Sequence, residues 1–348
     1  MNVYRSPENP IIEPKDVKPS RPDFEVVCAF NAGVTRFNGE VLLLLRVAEV
    51  AKSDDPKIAR VPIYDHERKE IIIKDFSKDD KNLDFSDSRV IRTPNEKYLT
   101  SISHLRIARS KDGIHFTVDE APTMTSANEY EMFGIEDPRI TLIDGTYYIN
   151  FSCIANLGVT TCLASTKDFT TFERHGVIFL PDNKDVEIFP EKIGGKYYAL
   201  TRPDSRSYKR REVWIADSPD LLRWGSHRHL FGTRHDKWDS GKVGGSAVPF
   251  LTDEGWLEIY HGSDKVHDRY CLGAVLLDKN EPWKMLGRSD NPILEPETDY
   301  EIHGFYGNVV FNCGVLNEDG KVKIYYGAAD TCMAYAEISL KDILDIVR

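Results

Sequence analysis

The sequence contains neither an excess of basic residues nor a hydrophobic run long enough to cross a bilayer. Its 348 residues include 45 Lys or Arg and 56 Asp or Glu, for a net charge of -11. A general nucleic-acid binder needs a basic face, so this class is excluded, although a small basic pocket for an anion is not. The apolar stretch VLLLLRV at residues 41–47 is short and carries Arg46. The N-terminal segment lacks an apolar signal region. We therefore expect a cytoplasmic protein with no membrane partner.

The sequence also lacks the common metal and cofactor motifs. Its six cysteines are scattered without C-x-x-C spacing, which predicts reduced core residues rather than a zinc site or disulfides. There is no H-E-x-x-H, no G-x-S-x-G and no G-x-G-x-x-G after a strand, and GKVGG at residues 241–245 does not have P-loop spacing. The segment HRH at residues 227–229 has the spacing of a metal pair on a strand, but no third ligand is evident. We predict no metal and no cofactor.

Helix signals are few, and the clearest is the C-terminal SLKDILDIV. Short apolar or alternating runs punctuated by Gly, Asp, Asn and Pro are typical of an all-β protein. Two patterns recur along the chain. A Gly turn followed by an aromatic strand occurs in DGTYYINF, GGKYYALT, EGWLEIYHG and DGKVKIYYG. A strand end, a polar turn with Asp and then an aromatic residue occurs in IARSKDGIHF, LASTKDFTTF, IADSPDLLRW and, more loosely, VLLDKNEPWKM.

Repeats of this size predict a five-bladed β-propeller formed by residues 1–348 as a single domain, with a short C-terminal helix. The alternative is a β-sandwich in which the turns are similar by coincidence. Residues 50–96 interrupt the repeat, because they are highly charged and have one strand-like run, EIIIKDF. We interpret this segment as an insertion into the first or second blade that either shapes a site or is solvated surface.

The innermost strand of each propeller blade lines a central channel, so polar residues beside inner apolar strands are candidates for a site. A buried charge is costly unless it is paired or functional. The pair Glu136–Asp137 in GIEDPRI opens a strand and is followed by Pro138 and Arg139. It is either a solvated turn or a placed acid. Further candidates of the same kind are Asn31, Arg46, Arg202, Lys242, His261 and Asp330. Short acceptors suit sugar hydroxyls, whereas Arg, Lys and His suit a phosphate. For each cation the alternative is an ordinary ion pair, for Lys242 with Asp239.

Several long segments resemble glycoside hydrolase family 130, the inverting β-mannoside phosphorylases on a five-bladed β-propeller. They are GIEDPRI, FPEKIGGKYYALTRP, GKVGGSAVPFLTDEGWLEIYHG, YCLGAVLLDKNEPWKMLGRSDNPILEPE and YYGAAD, and the resemblance extends from about residue 25 to 335.

The resemblance implies a role for each candidate. Asp137 would be the catalytic proton donor, acting through the mannose 3-hydroxyl, and Arg139 would hold Glu136 by charge pairing. The phosphate ligands would be Arg46, Arg202, Lys242, His261 and Tyr270. The mannosyl unit would contact Asn31, Arg109 and Asp330. One carboxylate facing several cations is what phosphorolysis needs, because phosphate is already an anionic nucleophile and requires no second carboxylate as a base.

We therefore expect a glycosyltransferase-type phosphorylase that converts a β-mannoside and inorganic phosphate to α-mannose 1-phosphate and a shortened acceptor. The substrate expected is β-1,2-mannobiose or a β-1,2-oligomannan. The alternatives are a β-1,4-mannooligosaccharide phosphorylase, a β-1,2-mannosidase of the same family and a non-catalytic sugar-binding propeller. A homo-oligomer is left open.

Overall fold

The computed structural model describes residues 1–205, 207–208, 210–267 and 269–348. Within these ranges the chain is mostly β, as predicted, and five antiparallel sheets of four or five strands follow one another along the sequence. We number them sheet 1 to sheet 5. Each sheet has an edge strand that we call its inner strand, because contacts between these strands join sheets 1 and 2, 2 and 3, 3 and 4, and 5 and 1. The inner strands are Phe24–Phe37, Ile135–Ile143, Asn183–Ile188, Lys242–Gly245 and Val310–Glu318.

The remaining strands extend outward from each inner strand. Sheet 1 continues through Glu40–Ala51, Ile102–Ser110 and Thr117–Val118. Sheet 2 continues through Thr146–Ala155, Gly158–Thr166 and Glu173–Phe179. Sheet 3 continues through Tyr197–Ser205, Val213–Ser218 and Gly225–Phe231, with Arg210–Arg211 at the side. Sheet 4 continues through Trp256–Ser263, Tyr270–Leu277 and Met285–Arg288, with Phe250–Leu251 at the side. Sheet 5 continues through Lys321–Ala328 and Cys332–Ser339 and is completed by the N-terminal strand Val3–Arg5.

The hydrophobic core is divided among the interfaces between neighbouring sheets. Leu44 of sheet 1 packs with Phe151 of sheet 2, and Leu163 of sheet 2 packs with Ala199 of sheet 3. Leu200 of sheet 3 packs in the same way with Trp256 of sheet 4, and Ile259 of sheet 4 with Ile324 of sheet 5. Tyr325 of sheet 5 packs with Leu43 of sheet 1. Every sheet therefore buries both faces, which explains why its strands are apolar on consecutive residues.

The two sequence repeats correspond to fixed places in the sheets. The aromatic run after each Gly turn is the second strand of sheets 2 to 5. The Asp of the other repeat caps the turn after the third strand, because its carboxylate accepts two successive backbone N–H groups. Asp112 accepts from Ile114 and His115, and Asp168 accepts from Thr170 and Thr171. The same turn occurs at Asp220 and Asp278.

The insertion lies between the second and third strands of sheet 1, but the expectation that it is poor in strands is wrong. It forms a hairpin of Ile58–Asp65 with Glu70–Ser77 and a small sheet of Asp84–Asp87, Val90–Arg92 and Lys97–Leu99. A satellite core that includes Val61, Phe76, Ile91 and Tyr98 holds the two together. The hairpin strands lack a period-two pattern, since Val61, Pro62 and Ile63 are buried in succession, and the many charged residues around them hid the strands in the sequence.

The C-terminal segment forms the predicted helix, Leu340–Val347, and the Ser339 hydroxyl accepts from the Asp342 amide at its N-terminus. The other helical segments of the described chain are the short Asp299–Ile302 and the 3-10 turns Pro14–Asp16 and Glu129–Glu131. No helix among the described residues is long and apolar enough to cross a membrane. All six cysteines are free and buried, as predicted.

Candidate active site

Irregularities in three inner strands turn short polar side chains toward the centre of the sheet assembly. Pairing with the neighbouring strand shifts register between Phe30 and Gly33 in sheet 1, between Glu136 and Arg139 in sheet 2, and between Lys184 and Glu187 in sheet 3. The residues within these bulges have positive φ angles of 46° at Asn31, 49° at Asp137 and 53° at Asp185. Asn and Asp tolerate this left-handed conformation better than other side-chain-bearing residues. A bulge redirects a side chain out of the regular alternation, so these three aim at a common region.

Asp137 is the centre of an acid cluster. Its carboxylate is buried and accepts hydrogen bonds from the Asn31 amide at 3.0 Å and from the Arg46 guanidinium at 3.1 Å, both on Oδ1. Arg46 also donates to Glu136 at 2.6 Å and to the Ser103 hydroxyl at 3.2 Å. The structure therefore unites Asn31, Arg46 and Asp137, three residues predicted from distant parts of the sequence.

The carboxyl groups of this cluster differ in pKa. Burial favours the neutral form of Asp137, but Arg46, Lys184 and the Asn31 hydrogen bond outweigh it, and its pKa is lowered. Burial and the charge of Asp137 raise the pKa of Glu136 although Arg46 opposes them. Burial, together with Asp137, raises the pKa of Asp330 to about 6 in spite of Arg46. Asp330 is thus electrostatically part of the same cluster, and Asp137 is ionised in the ligand-free site.

The expected pair of Glu136 with Arg139 is wrong. Arg139 is buried and donates to three backbone carbonyls, those of Asp137, Gly245 and Ser246, at 3.2, 3.2 and 2.9 Å. Glu136 instead has Arg46 as its partner. The bulge between positions 136 and 139 separates the two side chains, and this irregularity cannot be read from residue spacing.

A second cluster is cationic and lines a cavity of about 280 Å³. Its walls include Arg202, Lys242 and Tyr270, three of the predicted phosphate ligands, together with Lys184 and Arg211. The carboxylates of Asp182 and Asp204 also line it, and Arg211 pairs with Asp204 at 3.2 Å. The Lys242 ammonium lies 4.0 Å from the centre of the Tyr270 ring and contacts its hydroxyl. Four cations against two lining carboxylates make this a site suited to an anion.

The predicted alternative for Lys242, an ion pair with Asp239, finds no support. Asp239 is fully buried and is bound by Arg234, Arg288 and the Tyr260 hydroxyl. Its carboxylate thus belongs to a structural network within sheet 4.

His261 lies beside the cation cluster but is not itself a cation. Its Nδ1 lies 3.1 Å from the Ser246 hydroxyl and 3.2 Å from the Gly245 carbonyl oxygen, and its Nε2 lies 3.6 Å from Asp185. Burial, together with Arg202 and Lys242, lowers its pKa to about 3 although Asp185 acts in the opposite direction. The ring is therefore neutral at pH 7 and acts through hydrogen bonding rather than charge. It stacks near Tyr270, with ring centroids 6.1 Å apart.

Two predicted site residues need correction. Arg109 lies six residues beyond Ser103 on the same strand, about 20 Å away at the usual rise, and pairs with Asp119 at the surface. The structure does not bring Arg109 to either cluster, because the insertion obscured the register of sheet 1 in the sequence. Arg46, predicted as a phosphate ligand, has its guanidinium on Glu136 and Asp137 and is not among the residues that line the cation cavity.

The sequence reasoning missed three charged residues of the site. Asp185 accepts a hydrogen bond from the Arg202 guanidinium at 2.6 Å. Burial alone would raise the pKa of Asp185, but Arg202 and Lys184 outweigh burial and hold this pKa well below its usual range. The positive charge of Lys184 helps to lower the pKa of Asp137 and opposes the rise in the pKa values of Glu136 and Asp330. Because Lys184 also lines the cation cavity, it links the acid cluster to that cavity. Arg89 of the insertion lies 4.3 Å from the Tyr306 ring and influences Asp330. No sequence signal marked Asp185, because the bulge that gives it a positive φ angle cannot be read from residue spacing.

A separate group of metal-ligating residue types lies in sheet 2. Glu131, Cys153 and Cys162 are buried with potential ligand atoms within 4.8 Å of one another. The Glu131 carboxylate, however, accepts from the Ala127 amide, the Asn128 side chain and Arg174 at 2.6, 3.0 and 2.7 Å. These bonds give Glu131 a structural role at the start of sheet 2.

The chain is similar to known phosphorylases along nearly its whole length. The model of glycoside hydrolase family 130, described as beta-1,4-mannooligosaccharide phosphorylase, matches residues 88–348. A beta-1,2-mannobiose phosphorylase of Listeria innocua is 53% identical over 348 residues, which cover 99% of this chain and 98% of that protein. A 1,2-beta-oligomannan phosphorylase of Thermoanaerobacter sp. is 42% identical over 253 residues, covering 72% of this chain and 83% of that protein.

A solved structure agrees with these similarities. The complex of the Listeria innocua beta-1,2-mannobiose phosphorylase with beta-1,2-mannobiose superposes with a TM-score of 0.97, covering 100% of this chain and 99% of that one. The sequence motifs, the family match and this superposition agree, and the chain belongs to glycoside hydrolase family 130.

Proposed function

We propose that this protein is an inverting β-mannoside phosphorylase that acts on β-1,2-mannobiose or short β-1,2-oligomannans. Phosphate oxygen forms the new bond to the anomeric carbon as the glycosidic bond breaks. The products are α-mannose 1-phosphate and an acceptor shortened by one mannosyl unit. The reaction is reversible, since the energy of the glycosidic bond is retained in the sugar phosphate. The linkage rests on the 53% identical relative, which covers nearly the whole chain.

One observation carries the proposal, namely that a buried carboxylate lies beside a cationic cavity. Asp137 belongs to the acid cluster with Arg46 and Asn31, and Lys184 influences Asp137 from the wall of the cavity that also holds Arg202 and Lys242. An oxocarbenium-like transition state needs a proton for the leaving oxygen on one side and a nucleophile on the other. Phosphate in the cavity would supply the nucleophile already oriented, while Asp137 would supply the proton through the mannose 3-hydroxyl.

The lowered pKa of Asp137 gives phosphate a second role. Arg46 and Lys184 hold the carboxyl ionised, and an ionised carboxyl cannot donate a proton. A phosphate dianion bound by Lys184, Arg202 and Lys242 would offset the cationic field and add negative charge nearby. Both changes raise the pKa of Asp137. We infer that phosphate binding brings a proton onto Asp137, so the acid becomes active when the nucleophile is present.

The remaining assignments complete the proposal. Tyr270 would donate a hydrogen bond to phosphate, and Asn31 and Asp330 would bind the mannosyl unit. The neutral His261, which stacks near Tyr270 and does not line the cavity, would support that ring rather than carry charge to phosphate. The five sheets would form the blades of a propeller in a single domain, with the site at its axis.

No cofactor is needed, because phosphate is a co-substrate, and we place the enzyme in the cytoplasm. The acceptor would extend toward a cleft of about 630 Å³ that adjoins the cation cavity at Val159 and is lined by residues 92–97 of the chain.

The rival reaction is hydrolysis, in which water replaces phosphate. It would leave the cation cavity without a ligand, and a standard inverting hydrolase needs a carboxylate base on the face opposite the acid. The cavity beside the acid cluster is instead lined largely by cations, among them Lys184, Arg202 and Lys242. This arrangement favours phosphorolysis. A phosphorylase that prefers β-1,4-mannosides would use the same acid and the same phosphate cavity and would differ only in how it holds the acceptor.

The test is incubation of the protein with β-1,2-mannobiose and β-1,4-mannobiose, each with and without inorganic phosphate. We expect α-mannose 1-phosphate from the β-1,2 substrate, and only with phosphate. Equal release of free mannose with and without phosphate would establish a hydrolase. Faster turnover of the β-1,4 substrate would overturn the linkage. No reaction in any arm would point to a sugar-binding protein.

A further inference from the structure

Two fully buried glutamates beneath the proposed active site have no role in the mechanism above. Glu187 lies on the inner strand of sheet 3 and Glu258 on the second strand of sheet 4, and both are 0% exposed. Among the described residues, neither oxygen of Glu187 has a hydrogen-bond partner, and Oε2 of Glu258 also has none. Oε1 of Glu258 accepts from the Ser246 amide at 3.2 Å. Unpartnered buried carboxylate oxygens are costly, so they call for an explanation.

Both carboxyl groups meet at the same short segment of backbone. A Cβ atom at Gly245 would lie 1.8 Å from Oε2 of Glu187, which shows that the carboxyl rests directly on this glycine. The next residue, Ser246, holds Glu258. Each carboxyl group would therefore feel the other, and burial together with this mutual repulsion raises the pKa of Glu187 well above its ordinary value. Burial likewise raises the pKa of Glu258.

Arg139 is the cation that faces this pair, at 3.5 Å from Oε1 of Glu187. It has a second acidic neighbour, Asp185, at 3.7 Å, but Asp185 is also bound by Arg202 at 2.6 Å. The charges around the pair are thus Arg139 from sheet 2 and Asp185 and Arg202 from sheet 3. The buried Cys313 thiol of sheet 5 also faces Arg139, but burial raises its pKa and keeps it neutral. Because Asp185 balances the charge of Arg202, one further negative charge is enough to balance Arg139. If Glu187 and Glu258 were both ionised, they would provide two negative charges.

Arg139 also connects this pair to the reacting groups. Its guanidinium donates to the carbonyl of Asp137, inside the bulge that aims the acid, and to the carbonyls of Gly245 and Ser246. The same Gly245 carbonyl and the Ser246 hydroxyl contact Nδ1 of His261. One side chain thereby fixes the acid of sheet 2 relative to the histidine of sheet 4, although it contacts neither side chain's reacting atoms.

We propose that Arg139 is a positioning residue for the reaction, and that Glu187 and Glu258 share one proton so that together they carry the single negative charge that holds Arg139 in place. The shared proton would supply a hydrogen-bond donor to carboxylate oxygens that have no partner among the described residues. The positioning role rests on the proposed function, whereas the shared proton does not.

The shared proton is tested by infrared difference spectroscopy on wild type, Glu187→Gln and Glu258→Gln at pH 8. A protonated carboxyl group has a C=O stretch distinct from that of a carboxylate. We expect one buried protonated-carboxyl band that is lost in each single variant, because the remaining glutamate then ionises opposite Arg139. Absence of the band in wild type would overturn the proposal. So would a band that persists in both variants, since that would mean two neutral glutamates.

Melting temperatures give an independent readout. Each single glutamine replaces one carboxyl of a pair that already holds a proton, so each should be tolerated. The double variant removes the whole negative charge and should lower the melting temperature by clearly more than the sum of the single effects. Single variants as unstable as the double variant would contradict the shared charge.

The positioning role is tested by Arg139→Lys, which keeps the charge but cannot reach three carbonyls at once. We expect kcat to fall about ten- to a hundredfold, with KM for phosphate and mannoside changing less than roughly threefold, because misplacement affects the transition state more than binding. Arg288→Lys is the matched control. Arg288, whose side chain is 7% exposed, binds the Gly232 carbonyl, the Tyr260 hydroxyl and Asp239 and does not line the cation cavity. It should lower the melting temperature but leave kcat unchanged.

Wild-type kcat in Arg139→Lys would overturn the positioning role. A fall in kcat of the same size in Arg288→Lys would overturn it as well, because the effect would then be general destabilisation. If wild-type protein shows no phosphorolysis, the proposed function and the positioning role fail together, while the infrared bands still decide the shared proton.

Discussion

Replacing Lys242 by methionine is the sharpest test of the proposed phosphate site. Lys242 lines the cation cavity, and its ammonium lies over the Tyr270 ring. Methionine keeps most of the apolar stem and removes the charge and its hydrogen bonds. If the ammonium binds phosphate, the variant should raise KM for phosphate far more than KM for the mannoside.

The magnitude follows from the contacts. A lost charge-assisted hydrogen bond is worth roughly 1.5–3 kcal/mol, which corresponds to a ten- to hundredfold rise in KM for phosphate. Binding should not be abolished, because Lys184 and Arg202 remain on the cavity wall. A moderate loss of kcat should accompany the change, since the same contact orients the nucleophile. Loss of the cation–π contact costs about 0.5–1 kcal/mol, which predicts a small drop in melting temperature.

The chain contains a matched control for this substitution. Lys74 in the insertion has its ammonium 4.3 Å from the centre of the Tyr98 ring and donates to the Tyr98 hydroxyl at 2.6 Å. Lys74→Met removes the same kind of lysine–tyrosine contact outside the cation cavity. It should produce a comparable drop in melting temperature with no change in either KM.

The assay is a set of phosphate saturation curves at fixed β-1,2-mannobiose, with release of α-mannose 1-phosphate as the signal, for wild type and both variants. An unchanged KM for phosphate in Lys242→Met, with a lowered melting temperature, would refute the phosphate role of Lys242. It would also weaken the preference for phosphorolysis, because the cation cavity is its main support.

Asp137→Asn should retain the fold and lower kcat by about 10² to 10⁴, the usual value of general acid catalysis, and near wild-type turnover would show that another group is the acid. Glu136→Gln frees part of Arg46 to bind Asp137 more strongly, so it should lower kcat moderately by making the acid harder to protonate; a loss as large as that of Asp137→Asn would identify Glu136 as the acid. Asp330, with a pKa of about 6, should be ionised above that pH, so kcat/KM for mannoside should fall as pH drops through 6. Asp330→Asn should lower the plateau and remove this component of the profile. Phosphate binding at pH 7 should take up a proton as the pKa of Asp137 rises, which calorimetry in buffers of different ionisation enthalpy detects as a buffer-dependent heat.

Much of the fold was predictable because the local signals repeat. The turn aspartates Asp168 and Asp220 accept the same two backbone N–H groups in successive sheets, so the sequence pattern recurs where the structure recurs. The insertion was the exception. Apolar and polar residues do not alternate in its hairpin, so the usual signal of a half-buried strand is missing there. The sequence indicated an insertion into the first or second blade, and the structure places it in sheet 1, but its internal strands were not recognised.

The sequence by itself determined the family, the β class and the identity of Asp137, Arg202, Lys242 and Tyr270 as site candidates. These depend on local motifs and on residue types that are costly to bury without a function. The assembly of the sheets decided which charges meet. Arg46 was available to phosphate or to an acid, and sheet packing places it on Glu136 and Asp137.

The same distinction explains the other corrections. Burial among Arg202 and Lys242 keeps His261 neutral, a property of three strands from two sheets that no local pattern encodes. The bulge at Asp137 directs Arg139 away from Glu136 and toward the carbonyls of sheet 4. Residue types and turns are local and can be read from the chain, whereas the partner of a buried charge depends on residues more than 100 positions away, as Arg139 and Ser246 illustrate.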